Sequence, residues 1–195
     1  MGQKNMHVNP ATLSGIRKSV AGFTKLLESP RLGSIMSQNL FHNSFGMKIT
    51  PHDVVREIIH FMKSSDQHDY KIIIGTDSAR TSPSTADFVT AIVVHRVGNG
   101  GRYFWRRVEA KSVPTLRTRI THEALLSIEI AKEFLEIMKS VEMPKYDFEI
   151  HLDIGENGAT KVLIQELVGM IRANDFEAKT KPDSYAASKV ADRCL

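Results

Sequence analysis

The chain is predicted to fold as an α/β domain: a mixed five-stranded sheet with helices on both faces, in the order β-β-β-α-β-α-β-α, preceded by a partly helical N-terminal extension. Three observations predict this. Three strand-like runs follow one another with short links, at 70–77, 87–97 and 102–111. Helical and strand patterns then alternate, which is the signature of sheet-and-helix layering. Two of the strand-like runs, Ile72-Ile73-Ile74-Gly75-Thr76-Asp77 and Phe148-Glu149-Ile150-His151-Leu152-Asp153, close on an aspartate.

Residues 1–48 read as the extension. They are polar and broken by Pro10, Gly15, Gly22, Pro30, Gly33 and Gly46. Ile16, Val20, Phe23 and Leu27 share one face of a possible helix over 11–29. Residues 30–49 read as an irregular arm. The domain proper spans 49–195. Its first helix starts at Thr50-Pro51-His52-Asp53: Thr50 can cap, Pro51 suits the first helical position and Asp53 faces the helix dipole. The apolar stripe of Val54, Ile58, Ile59 and Met62 continues it to about Lys63.

A polar turn leads to the first strand. Gly98-Asn99-Gly100-Gly101 marks a hairpin between the second and third strands, so the three form an antiparallel meander. A long helix follows over 118–139, then a strand at 147–154, a helix at 158–173, a short strand at 175–180 and a last helix at 184–193.

With 195 residues, 42% apolar and 25% charged, the chain has the composition of one globular domain. No run of 18 apolar residues suits a membrane span. The N-terminus lacks an apolar leader pattern, so a cytoplasmic location is expected. Cys194 is the single cysteine, which excludes an internal disulfide and a cysteine-rich metal centre. The net charge is +4. It is concentrated in 101–120, where Arg102, Arg106, Arg107, Lys111, Arg117 and Arg119 stand against Glu109, interleaved with Tyr103, Phe104 and Trp105. Such a stretch is either a solvated basic strand with core aromatics or a phosphate-contacting surface.

The candidate chemistry lies in carboxylates. An apolar strand that closes on Asp places its carboxylate at a sheet rim. Two of these side by side repel unless a cation or a proton lies between them. On a helical wheel of 118–139, Ile120, Ala124, Ile128, Ala131, Leu135 and Met138 form the apolar stripe, and Glu129, Glu133 and Glu136 fall opposite. Glu123 falls inside the apolar arc, beside Ser127, Ile130 and Phe134. Two further carboxylates, Asp183 and Asp192, lie nine residues apart and so face opposite ways on one helix; at most one can join a given site. The set Asp77, Glu123, Asp153 and one of Asp192 or Asp183 suits a hard, oxygen-liganded ion, Mg2+ or Mn2+. Two such ions about 4 Å apart can drive phosphodiester hydrolysis.

The order of elements and the position of each acid resemble the ribonuclease H-like fold. More closely, the segments Ile74-Gly75-Thr76-Asp77-Ser78, Arg119-Ile120-Thr121-His122-Glu123, Leu152-Asp153-Ile154-Gly155-Glu156-Asn157-Gly158 and Lys181-Pro182-Asp183-Ser184-Tyr185, with Val190-Ala191-Asp192-Arg193, resemble the YkuK-type predicted RNase H-like nucleases, from about residue 45 onward. The resemblance implies a nuclease acting on RNA, DNA or their hybrid with two Mg2+ or Mn2+ ions. It implies that Asp77 bridges the ions, that Glu123 and Asp153 each complete a metal shell, and that the last acid holds the second ion. Val190-Ala191-Asp192 looks like the last acidic position of resolvase-type relatives, which favours Asp192. Asp183 is the alternative, because other branches place that acid at a helix start. His122 and His151 are candidate proton shuttles.

Two other readings compete. Residues 152–160 also look like the phosphate loop of actin-like and sugar-kinase ATPases, although those need two such domains around a cleft. A non-catalytic nucleic-acid-binding module on the same fold is the third. The retention of every carboxylate the site needs counts against it.

Overall fold

The computed structural model describes residues 40–65, 67–155 and 161–195. The expected helix over 11–29 lies outside them. Strands β1 (Phe41–Asn43) and β2 (Lys48–Ile49) precede helix α1 (Pro51–Lys63). The meander β3 (Tyr70–Ser82), β4 (Thr85–Arg96) and β5 (Gly101–Lys111) follows, then α2 (Leu116–Lys139), β6 (Asp147–Leu152), α3 (Lys161–Arg172) and β7 (Glu177–Lys179). A π-helical segment, Ala186–Ala191, runs into a 3-10 turn, Asp192–Cys194.

The strands form one sheet in the order β2-β1-β5-β4-β3-β6-β7. The five central and right-hand members are the expected mixed sheet: β5, β4 and β3 are antiparallel neighbours, and β6 and β7 join parallel to β3. Among the described residues seven strands replace the expected five, because 41–49 is not an irregular arm. β1 pairs antiparallel with β5 and with β2. The turn between them is built by one side chain: Asn43 Oδ1 accepts the Phe45 and Met47 N–H groups at 3.0 and 3.1 Å. Elements of three and two residues carry no hydrophobic alternation to read, but an Asn that folds back on its own backbone is a turn signal.

Helix α1 starts as the sequence predicts. Thr50 Oγ1 accepts the Asp53 N–H at 3.2 Å, and Asp53 Oδ2 accepts the Thr50 N–H at 3.1 Å, a reciprocal cap. The hairpin after β4 closes through Gly98 and Gly100, both at positive φ (78° and 74°). Gly101 is required for a different reason. A Cβ there would meet the Val94 carbonyl oxygen at 2.6 Å.

Strand alternation divides the core. Ile72 and Ile74 of β3, Ile92 and Val94 of β4, and Ile150 and Leu152 of β6 pack with α1, α2 and α3 in the main cluster. Ile73, Val93, Val89 and Ala91 face the other way and are covered by the C-terminal segment through Ala186 and Ala191. The sheet therefore has helical cover on both faces, three helices on one and the C-terminal segment on the other.

Candidate active site

Asp77 does not end its strand. β3 runs on to Ser82 beside β4, whereas its pairing with β6 stops at Thr76↔Leu152. The apolar run stops at Asp77 because burial stops just beyond it: Ala79, Arg80 and Thr81 are exposed, although Ala79 and Arg80 are still paired with β4. Asp77 thus marks the point where β3 loses one neighbour, and Asp153 follows directly after the end of β6. The two carboxylates occupy the same rim by register.

Side chains at 77 and 78 leave β3 on opposite faces. Ser78 points to the helical layer, where its Oγ donates to Glu123 Oε1 at 2.6 Å. Glu123 is 6% exposed, inside the apolar arc of α2. Behind it a chain of hydroxyls fixes α2 to the sheet. Thr76 Oγ1 lies 2.9 Å from Thr90 Oγ1 and 2.8 Å from Ser127 Oγ, and Ser127 Oγ donates to the Glu123 carbonyl at 2.9 Å. Asp77 points to the other face, toward the C-terminal segment, and its Oδ1 accepts the Ser78 N–H at 2.8 Å.

The electrostatics join these acids into one field. Burial pushes the Glu123 carboxyl up to about 8; the Ser78 hydroxyl and Arg119 oppose the rise, and the charges of Asp77 and Asp153 add to it. Burial also raises Asp77, and the charges of Asp153 and Asp192 raise it further against the Ser78 N–H and Arg119. Arg119, one turn before Glu123 on α2, donates from Nη1 to the Ser78 carbonyl at 3.3 Å, and its Nε is buried with no hydrogen-bond partner among the described residues.

Asp192 thus contributes to the field at Asp77. Asp183 has an exposed side chain. It lines an open pocket of about 550 Å³ with Lys71, His95, Glu149, Lys179 and Lys189.

The two histidines have different surroundings. The His122 ring lies 5.9 Å from that of Phe88, and burial lowers its pKa. His151 is buried. Its Nδ1 accepts the Ala186 N–H at 3.3 Å, which leaves the proton on Nε2, 3.1 Å from Glu149 Oε2. Burial lowers His151 against the pull of Glu149. Glu149 also takes Lys71 Nζ at 2.7 Å, and the two hydrogen bonds hold its carboxyl below the ordinary range despite burial. This network seats the start of the C-terminal segment that carries Asp192.

The six cations of 102–119 are dispersed, because alternation along β5 sends neighbours to opposite faces. Arg102 and Arg106 go to the helical face, 3.9 Å from Glu57 and 4.0 Å from Glu133, and Arg106 is buried over the Phe41 ring. Arg107 goes to the other face, 3.7 Å from Asp87, and donates to the Cys194 and Leu195 carbonyls. Arg117 pairs with Glu166 at 2.6 Å, and Lys111 is exposed at the end of β5. Of the six, Arg119 is the one placed in the field of both Asp77 and Glu123.

Lys181 is a residue that the sequence patterns did not single out. Its Nζ lies 3.1 Å from Asp153 Oδ2, while Asp153 Oδ1 is buried with no hydrogen-bond partner among the described residues. A lysine in Lys-Pro-Asp-Ser carries no signal of its own; only register places it beside the end of β6.

Among the described residues, no three His, Cys, Asp or Glu side chains are grouped closely enough to hold a metal ion. The acids share a field rather than a ligand shell. Their chemistry nonetheless fits a hard cation: all donors are carboxylate oxygens, two of the acids are raised by burial and mutual repulsion, and Asp153 keeps one buried oxygen without a hydrogen-bond partner among the described residues.

The ribonuclease H-like family model matches residues 53–195. The chain is also 35% identical over 168 residues to a protein of Bacillus subtilis (strain 168) named uncharacterized protein YkuK, covering 79% of this chain and 95% of that one. The chain belongs to the YkuK-type ribonuclease H-like family. No solved structure matches it. In this ribonuclease H-like chain the five-strand core is β5-β4-β3-β6-β7, and β1 and β2 extend it at the β5 edge. No helix among the described residues is long and apolar enough to cross a membrane.

Proposed function

We propose that the chain is a Mg2+- or Mn2+-dependent nuclease that hydrolyses phosphodiester bonds of nucleic acid. The observation that carries this is Glu123: a carboxylate buried in the apolar arc of α2, raised to about 8 and coupled to Asp77 and Asp153 at the rim where β3 outruns β6. A buried acid held at such cost to stability is more useful as a cation ligand than as packing. Asp77, Glu123, Asp153 and Asp192 would hold the metal. When bound, it would supply Lewis-acid stabilisation of charge on the phosphate and activation of the attacking water. Ser78 fixes the Glu123 carboxylate. Arg119 is positioned to offer its guanidinium to a phosphate at the same rim, and the exposed Lys111 and Arg117 to offer charge beyond it.

The test is cleavage of RNA–DNA hybrid, single-stranded RNA, single-stranded DNA and junctions with Mn2+, by wild type and Asp77→Asn. Loss of cleavage in Asp77→Asn by a factor of at least about 100 is expected for removal of a charge-stabilising group. Equal cleavage by both proteins overturns the reading. One observation favours a second reading, a non-catalytic nucleic-acid-binding module: the Lys181 ammonium lies 3.1 Å from Asp153 Oδ2 and so competes with any cation for that carboxylate. Binding of the same panel in chelator with no cleavage under Mn2+ would establish that alternative.

A further inference from the structure

Lys181 is held to the end of β6 by more than its charge. Its N–H donates to the Ile154 carbonyl at 2.9 Å, continuing the chain alongside β6 past β7. Its stem lies along Gly155, where an added Cβ would meet the Lys181 Cβ and Cδ at 3.5 and 3.7 Å. The ammonium ends 3.1 Å from Asp153 Oδ2, and the side chain remains half exposed. Backbone tether, stem and head together set a positive charge on one of the candidate metal ligands. The head keeps an exit to solvent.

We propose that Lys181 occupies the cation position on Asp153, so that a divalent ion engages Asp153 only by displacing the Lys181 ammonium. This rests on the carboxylate cluster being a metal site. A single ammonium satisfies one oxygen of Asp153 and leaves the buried Oδ1 without a hydrogen-bond partner among the described residues. A divalent ion carries twice the charge and can take oxygens from more than one acid. The displaced head stays tethered at the rim. It thereby becomes a mobile cation beside a phosphodiester brought to the same acids. Lys181 in this view sets the threshold metal concentration at which the site assembles. It also limits charge repulsion among Asp77, Asp153 and Asp192 below that threshold.

The test is calorimetric titration of the full chain with Mn2+ alone, without nucleic acid. Lys181→Met keeps the stem against Gly155 and removes the charge; Lys181→Arg keeps the charge. Lys179→Met removes an equal charge that pairs with Glu177 rather than with the site. Lys181→Met is expected to bind Mn2+ roughly two- to fivefold more tightly, the scale of a partly exposed ion pair. Lys181→Arg and Lys179→Met are expected to stay near wild type. Equal or weaker binding by Lys181→Met, with wild-type binding intact, overturns the proposal and leaves the metal site standing. An equal gain in Lys179→Met also overturns it, because the effect would then be general charge. No Mn2+ binding by any protein overturns the metal site and this proposal together. A second measurement does not depend on the folding of the Met variant. In reductively 13C-methylated wild type, the Lys181 methyl resonance, assigned by its loss in Lys181→Arg, should shift on Mg2+ addition with the affinity that a parallel Mg2+ calorimetric titration gives. A stationary resonance while Mg2+ binds overturns the displacement.

Discussion

Glu123→Gln is expected to stabilise the metal-free protein at alkaline pH and to flatten its pH dependence. Glu123 has an ordinary value of 4.5 in the unfolded chain and about 8 in the folded one. Between those limits the folded protein keeps a proton that the unfolded chain has lost, so stability falls as pH rises through the interval and is highest below it. At about 1.4 kcal/mol per pH unit the full penalty comes to roughly 5 kcal/mol above pH 8. Between about pH 5 and pH 8 the loss is about 3 kcal/mol, or roughly 6–12 °C in Tm for a domain of this size. Gln is nearly isosteric, accepts the Ser78 hydroxyl through Oε1 and carries no charge to desolvate. The assay is urea unfolding and calorimetry at pH 5, 6.5 and 8 in chelator. Wild type should lose stability across that range and Glu123→Gln should lose much less, with a residual slope from Asp77, which is raised in the same sense. Parallel profiles would refute the placement of an ionisable, buried Glu123 at the rim.

Two further outcomes are expected. Thr76→Val removes the hydroxyl shared by Thr90 and Ser127 beneath α2; unfolding in urea should show a loss of about 1–3 kcal/mol, because the buried partners are left unpaired. His151 is held neutral, its value lowered by burial and its Nδ1 occupied by the Ala186 N–H. Its contribution is therefore present above its ordinary 6.5 and lost as pH falls below it, opposite in sign to that of Glu123. His151→Gln should shallow the acid limb of the Tm profile, and the protection factor of the Ala186 amide against hydrogen exchange should fall in wild type as His151 takes up its proton below its ordinary 6.5. An acid limb unchanged by the substitution would remove His151 from the docking of the C-terminal segment.

The parts of this chain that were legible in its sequence are those governed by periodicity. The α1 cap, the three-strand meander and the inward face of α2 each follow from one repeating rule, and Glu123 stood out because it broke that rule. Short elements were not legible: β1 and β2 are defined by one Asn side chain and by pairing to a distant strand. Strand ends were misjudged for a related reason. The apolar run at 72–77 records burial by β6 and the helices, whereas the strand itself continues on β4. The basic stretch looked like one surface because linear sequence hides the two-residue period that splits Arg106 from Arg107. Lys181 was invisible because its partner lies 28 positions earlier and only tertiary register brings them together.

The carboxylates come from both layers of the sandwich. Glu123 belongs to the helical layer and is seated by Ser127 and Ser78, whereas Asp192 belongs to the C-terminal layer seated on Val89, Ala91 and the His151 network. The sheet between them is the common anvil, and each layer acts as a separate jaw. Repacking beneath α2 moves one jaw, and repacking around Ala191 moves the other. Changes in the two layers should therefore combine additively. A chain of this kind can retune the gap between its acids in small independent steps, one face at a time, without reopening the sheet that aligns Asp77 with Asp153.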